Sequence, residues 1–173
     1  TLSIAARHAD VYLSWILPKD ILGAHFDKAR THFAAAGRVP VFGLRTHLIM
    51  RDSEEEAWSA ATKLLSRASS VVRQQRKQSS PPHLSIGQGV CSESDRSHQI
   101  GPHLWNGIST VRVNCGTAIV GTPRQVADEL QGYWRLGVDE FILSGYPHVD
   151  ECERVSSDLL PLLRSRIDRE LTM

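Results

Sequence analysis

Apolar and polar residues alternate along the chain in blocks that predict strands followed by helices. Short apolar runs occupy residues 10–15, 41–50, 117–121 and 138–144, and each precedes a stretch with apolar residues at helical spacing. Strands that alternate with helices are typical of parallel βαβ units. The pattern therefore predicts an α/β fold, and it leaves open whether the sheet is doubly wound or part of a barrel.

Residues suited to helix ends flank these stretches. Gly37 is placed to end the first long helix, and Asp52 or Ser53 to cap the next one. Thr122 is placed to cap a third helix, and Gly137 to end it. These positions predict where the helices begin and end.

The regular pattern is interrupted after Val72. Residues 73–80 are polar and basic, Pro81-Pro82 breaks any helix, and small polar residues continue to about Gly101. The whole chain, 1–173, is interpreted as one partial domain with an insertion or loop at about 73–110. Order is expected to resume near Leu104-Trp105.

Composition narrows the classes of protein. The formal charge of +1 predicts neither nucleic acid nor an anionic membrane as a partner, and no apolar run approaches the roughly 20 residues of a membrane span. The cysteines, at 91, 115 and 152, are scattered and form no metal or redox motif, so we expect no metal site and a cytoplasmic location. Thr1 is not a natural start, so a longer parent chain is expected.

Arg45 and His47 stand two apart in the apolar run 41–50. Strand geometry places both on one face, opposite Leu44 and Leu48. An arginine in such a strand is costly unless an anion or a hydrogen-bond network compensates its charge. The pair therefore indicates a ligand site, with the alternative that Arg45 pairs with a carboxylate and His47 is a core histidine.

Two further positions carry candidate chemistry. Ser144-Gly-Tyr-Pro-His148 follows the last predicted strand, where Tyr146 and His148 could transfer protons or bind an oxyanion; the alternative is an ordinary turn. Arg112 precedes the strand 117–121, and a lone arginine in a loop is usually a solvated charge.

Several segments together resemble one family, the reduced-flavin-dependent alkanesulfonate monooxygenases of the bacterial luciferase superfamily. Their order matches that of the C-terminal half of these enzymes, and so does their spacing outside the insertion. The segments are Ala6–Trp15, Phe42–His47, Glu54–Trp58, Leu104–Gly107, Gly116–Gly121, Val126-Ala127 with Leu136–Asp139, and Phe141–His148.

The resemblance implies a (β/α)8 TIM barrel of which this chain supplies about strands five to eight. It implies catalytic roles for Arg45, His47, Tyr146 and His148, and a cofactor-binding role for Arg112 in a loop that closes over reduced flavin. In the family, reduced FMN from a separate flavin reductase reacts with O2, and an alkanesulfonate yields an aldehyde and sulfite.

The chain also departs from the family pattern. The first four strands and the family's active-site cysteine have no counterpart, and Asn114-Cys115 replaces a glycine-rich stretch. We therefore expect the chain alone to bind FMN poorly and to be inactive. As protein partners we expect a second copy of the chain or the missing N-terminal half. Two alternatives stay open: a non-catalytic barrel remnant that acts by dimerising or by binding a full-length barrel, and a luciferase-like flavin oxidoreductase with another substrate.

Overall fold

A computed structural model describes residues 1–66, 98–110 and 116–173. The strands are β1 (Val11–Trp15), β2 (Val41–Met50), β3 (Leu104–Trp105), β4 (Ala118–Gly121) and β5 (Glu140–Gly145). The helices are α1 (Leu2–His8), α2 (Lys19–Ala35), α3 (Glu54–Ser66), α4 (Pro123–Arg135), α5 (His148–Arg154) and α6 (Leu160–Leu171). A 3-10 turn at Gly107–Thr110 and a π-helical turn at Val155–Leu159 complete the described elements.

The long strand β2 is the centre of the sheet. It pairs in parallel with β1 along residues 41–45, with β5 along 43–48 and with β4 along 47–50. The short strand β3 runs antiparallel to β4. This mostly parallel sheet with helices between its strands confirms the α/β fold class.

Helix boundaries follow the local chemistry that the sequence indicates. Ser53 and Glu56 exchange side-chain and backbone hydrogen bonds of 3.2 Å each, and Thr122 forms a full capping box with Gln125. Gly37 and Gly137 follow the last turns of α2 and α4 with φ of 68° and 98°, a backbone region that favours glycine. The predicted caps are therefore confirmed.

One face of β2 lies in the main core. Its residues on this side (Phe42, Leu44, Leu48 and Met50) pack against apolar residues of α2, α4 and the π-helical turn. Phe26 of α2 stacks on Phe42 with 4.0 Å between ring centroids. We call this side of the sheet the core face.

The opposite side, which we call the site face, contains Arg45 and His47 of β2. Near the end of β2 it is covered by α3, where Ile49 packs with Ala57 and Ala61. Near the start of β2 it is open, because apolar side chains of three strands are exposed there: Val11, Leu13, Val41 and Ile142.

Three elements differ from the sequence-based expectation. Helix α1 was not predicted, and the last helical stretch begins already at His148, so His148 opens a helix and does not lie in the preceding loop. Residues 98–110 are described and include β3, with Gln99 bridging to Trp105. The rest of the predicted insertion, including 73–97, lies outside the described residues.

Candidate active site

The register of the sheet brings Arg45 and His47 together with the ends of two neighbouring strands. Trp15, the last residue of β1, is paired with Arg45, and Ser144 near the end of β5 is paired with His47. Arg45 and His47 therefore lie in the middle of β2, beside the carboxyl ends of β1 and β5. Carboxyl ends of parallel strands are where ligand sites of α/β proteins lie.

Four rings follow one another across the site face. The ring centroids of Trp15 and His47 lie 5.8 Å apart, those of His47 and Tyr146 lie 5.5 Å apart, and those of Tyr146 and His148 lie 4.7 Å apart. We call these four side chains the ring row. Three of the residues singled out from the sequence, His47, Tyr146 and His148, thus form one contiguous group.

His47 is held by a hydrogen bond as well as by its ring neighbours. Its Nδ1 lies 2.8 Å from Ser144 Oγ, and the imidazole is 2% exposed. A hydrogen bond at one ring nitrogen holds the orientation of the imidazole. Ser144 was not singled out from the sequence, although its position two residues before Tyr146 could have indicated a place in the site.

Arg45 is stacked and partly desolvated. Its guanidinium carbon lies 4.5 Å from the centre of the Trp15 ring, in the geometry of a cation–π contact. Its Nε is buried and has no hydrogen-bond partner within the described residues, and no carboxylate there forms an ion pair with it. The carboxylate-paired alternative therefore does not apply to the described part of the chain.

The entry to β4 closes one side of this group. A Cβ at Gly116 would lie 2.3 Å from Trp15 Cε3, so the glycine backbone lies directly against the indole. The carbonyl of the next residue, Thr117, accepts hydrogen bonds from the His47 backbone N–H at 3.4 Å and from Thr46 Oγ1 at 3.2 Å. Thr117 Oγ1 is buried with no partner among the described residues.

These observations test whether a flavin ring fits the residues present. A planar heteroaromatic ring needs aromatic or apolar contacts on its faces and hydrogen-bonding groups at its edge. Trp15 and Tyr146 offer the first, while Arg45 Nε is a buried polar atom that offers the second. The described residues therefore fit part of a flavin site. Arg112, the predicted cofactor-binding residue, lies outside the described residues.

Two observations concern metal-binding side chains and membrane-spanning helices in the described ranges. No group of three or more histidine, cysteine, aspartate or glutamate side chains there is arranged to hold a metal ion. None of the helices in the described ranges is both long and apolar enough to span a bilayer.

The fold is that of an α/β chain whose candidate site lies at the carboxyl ends of parallel strands. The family model of the luciferase-like monooxygenases matches residues 1–140. The chain therefore belongs to the luciferase-like monooxygenase family, which confirms the wider family resemblance; the alkanesulfonate monooxygenases within it remain a prediction. Tyr146 and His148 lie beyond the matched residues.

Solved structures with the same fold cover this chain almost completely. Riboflavin lyase (RcaE) in complex with modified FMN and riboflavin is 17% identical, with a TM-score of 0.68, and is matched over 95% of this chain and 40% of its own. EDTA monooxygenase (EmoA) from Chelativorans sp. BNC1 is 18% identical, with a TM-score of 0.64 and coverages of 95% and 44%. DmoA from Hyphomicrobium sulfonivorans is 21% identical, with a TM-score of 0.68 and coverages of 95% and 39%.

The unequal coverage of the two chains shows how much of the fold is present. The chain spans between 39% and 44% of the length of these three structures. This confirms that the chain forms about half of a luciferase-like barrel.

Proposed function

We propose that this chain supplies the C-terminal half of the active site of a reduced-FMN-dependent monooxygenase acting on alkanesulfonates. The observation that carries the proposal is Arg45, a partly desolvated cation stacked on Trp15 beside the ring row. A guanidinium binds a sulfonate through charge-assisted hydrogen bonds. The other half of the barrel would contribute the remaining walls of the site.

FMN would be held by aromatic and polar groups of the site face. Trp15 and Tyr146 would contact the flavin ring, Arg45 would bind at its edge, and Arg112 is proposed to bind the cofactor. When bound in its reduced form, supplied by a separate flavin reductase, FMN provides the two electrons that activate O2. The protein's own part is to position groups and to exclude water.

Four residues of this chain would bind the substrate, transfer protons and stabilise charge. Arg45 binds the anionic sulfonate and orients its α-carbon. His47, held through Nδ1 by Ser144 at 2.8 Å, moves the proton that leaves this carbon. The Tyr146 hydroxyl donates a hydrogen bond to developing negative charge on oxygen, and His148, at the rim of the site, exchanges protons with solvent.

The overall reaction balances without a further reactant. An alkanesulfonate, O2 and reduced FMN give an aldehyde, hydrogen sulfite, oxidised FMN and water. One oxygen atom becomes the aldehyde oxygen as the carbon–sulfur bond breaks, and the other leaves as water. Reduced FMN is the only electron donor that this balance needs.

The test measures sulfite release by a polypeptide that joins this chain to the first half of a luciferase-like barrel. Octanesulfonate, O2 and FMN reduced by a flavin reductase are supplied. We expect Arg45→Met to lower kcat/KM about 100-fold, the effect of removing one well-placed donor to an anion. The matched control is Arg164→Met, because Arg164 is exposed on α6; sulfite release that survives Arg45→Met unchanged would refute the proposal.

A second candidate, a non-catalytic remnant that acts by association, is favoured by the open part of the site face. Four apolar side chains are exposed there: Val11, Leu13, Val41 and Ile142. Exposed apolar groups of this kind mark surfaces that bind another protein. Sedimentation of the chain alone decides whether it forms a homo-oligomer. Turnover of a different substrate with no sulfite release would instead favour the flavin oxidoreductase alternative.

A further inference from the structure

Arg51 and Glu151 join the end of β2 to the first turns of α5. Glu151 is 1% exposed, and its Oε1 lies 2.5 Å from Arg51 Nη1. The second carboxylate oxygen accepts from the backbone N–H of Met50 at 3.4 Å, and Arg51 Nη1 also donates to the Met50 carbonyl. One buried carboxylate thus contacts both the side chain and the backbone at the strand end.

The residue before Tyr146 is packed against the same carboxylate side chain. A Cβ at Gly145 would lie 2.5 Å from Glu151 Cβ and 3.0 Å from the Leu48 carbonyl oxygen. The backbone of β5 at Gly145 is therefore in close contact with both α5 and β2. Tyr146 lies between β5 and α5, and His148 is the first residue of α5, three residues before Glu151.

Glu151 has almost no solvent exposure, so separating its carboxylate from Arg51 would leave a buried charge unpaired, which costs free energy. Arg51, whose side chain is 24% exposed, keeps contact with water and so tolerates the loss of its partner better than Glu151 would. The ion pair consequently fixes α5 more than it fixes β2. His148 is the first residue of α5, and Tyr146 lies two residues before it.

We propose that the Arg51–Glu151 ion pair is a positioning element that holds Tyr146 against His47 and His148 against Tyr146. Neither Arg51 nor Glu151 belongs to the ring row or contacts Arg45 in the described structure. The kinetic part of this inference rests on the proposed function, whereas the placement of Tyr146 and His148 does not.

The experiment uses Glu151→Gln, which keeps the side-chain shape and removes the charge, in the joined polypeptide described above. Hydrogen exchange followed by mass spectrometry should show about tenfold faster exchange of amides 145–154 and unchanged exchange in residues 41–48 of β2 and in α4. Sulfite release should show kcat lowered by up to about 100-fold, as misplaced catalytic groups do, with KM for octanesulfonate unchanged because Arg45 is untouched. Arg51→Lys, which keeps the charge, should restore most of both properties relative to Arg51→Met.

The matched control is Glu170→Gln, which breaks an exposed ion pair with Arg135 of 2.7 Å; it should change neither property. Unchanged exchange at 145–154 in Glu151→Gln overturns the inference, and so does faster exchange throughout the chain, since that marks a purely structural pair. If the parent polypeptide releases no sulfite, the proposed function fails on its own, and the exchange data still decide the positioning role.

Discussion

The two faces of the sheet differ in how far their apolar side chains are buried. On the core face, Leu44 and Leu48 are 0% exposed and packed between helices, whereas on the site face Leu13 and Ile142 are 49% and 47% exposed. Yet Leu44 and Arg45 are neighbours in the same strand. Because side chains alternate along a strand, β2 contributes to stability with one set of residues and to chemistry with the other.

This difference teaches where each property can be changed. The core face loses stability when an atom is removed, because its packing is complete. The site face contains groups whose contacts are incomplete in the described chain, such as Arg45 with its buried Nε. Its open apolar part and its partly desolvated cation are both features that a further layer of protein and a ligand would cover.

The largest expected effect is on the free energy of unfolding, when a leucine of each face is replaced by alanine. Leu44→Ala on the core face should lower the free energy of unfolding by about 2–5 kcal/mol, because it leaves a cavity. Leu13→Ala on the site face should change it by less than about 0.5 kcal/mol. Urea unfolding of both variants measures the difference. Equal losses of unfolding free energy in the two variants would show that the site face is covered in solution. Sedimentation would then show whether a second copy of the chain covers it.

Much of this division was predictable from the sequence. The alternation in 41–50 placed Arg45 and His47 opposite Leu44 and Leu48, and the structure confirms this. Helix α1 escaped prediction because it has seven residues and only one buried side chain, Ala6. So short an element leaves no helical periodicity to read.

The site was predictable only in part. His47, Tyr146 and His148 were singled out by residue type, and the structure places them in one row. Trp15 and Ser144 were missed because their roles come from register: each stands beside a β2 residue that is at least 30 positions away in sequence. Pairing of distant strands is long-range information that local patterns do not contain.

The next effect concerns how tightly the site face is packed around Trp15. Gly116→Ala places a methyl group 2.3 Å from Trp15 Cε3, so the indole must move and its contact with Arg45 is disturbed. We expect a loss of about 1–3 kcal/mol, as in other overpacked sites, together with a shifted tryptophan fluorescence spectrum. Gly23→Ala is the matched control, because its Cβ would lie 3.7 Å from Leu136 and should stabilise α2 by about 0.5–1 kcal/mol. A stable Gly116→Ala with an unchanged spectrum would contradict the close packing described here.

A smaller effect is expected from the hydrogen bond that orients His47. Ser144→Ala removes the partner at 2.8 Å from Nδ1 and should cost about 0.5–1.5 kcal/mol of stability. In the joined polypeptide it should lower kcat for sulfite release more than it raises KM. The control is Ser157→Ala, whose exposed hydroxyl donates to a carbonyl within its own helical stretch. Full activity of Ser144→Ala would mean that the rings of Trp15 and Tyr146 suffice to orient His47.

The smallest effect lies on the core side of the sheet, at the polar contact between β1 and α2. Tyr12 Oη lies 2.7 Å from His25 Nε2. Burial, and secondly the charge of Lys28, hold the pKa of His25 below its ordinary value. The unfolded chain, with a histidine pKa of about 6.5, therefore binds this proton first as the pH falls. The stability that His25 contributes is fully present above about pH 6.5 and is lost as the pH drops through the lower pKa of the folded state.

Unfolding free energies at pH 7.5 and pH 5 measure this contribution. His25→Gln keeps a hydrogen-bonding side chain but cannot titrate, so we expect its stability to fall less between these pH values than that of the parent chain. The difference should be below about 1 kcal/mol, because the histidine is only partly buried. His8→Gln, at an exposed position of α1, should leave the pH dependence as it is. If both variants behave alike, the acid sensitivity does not originate at His25.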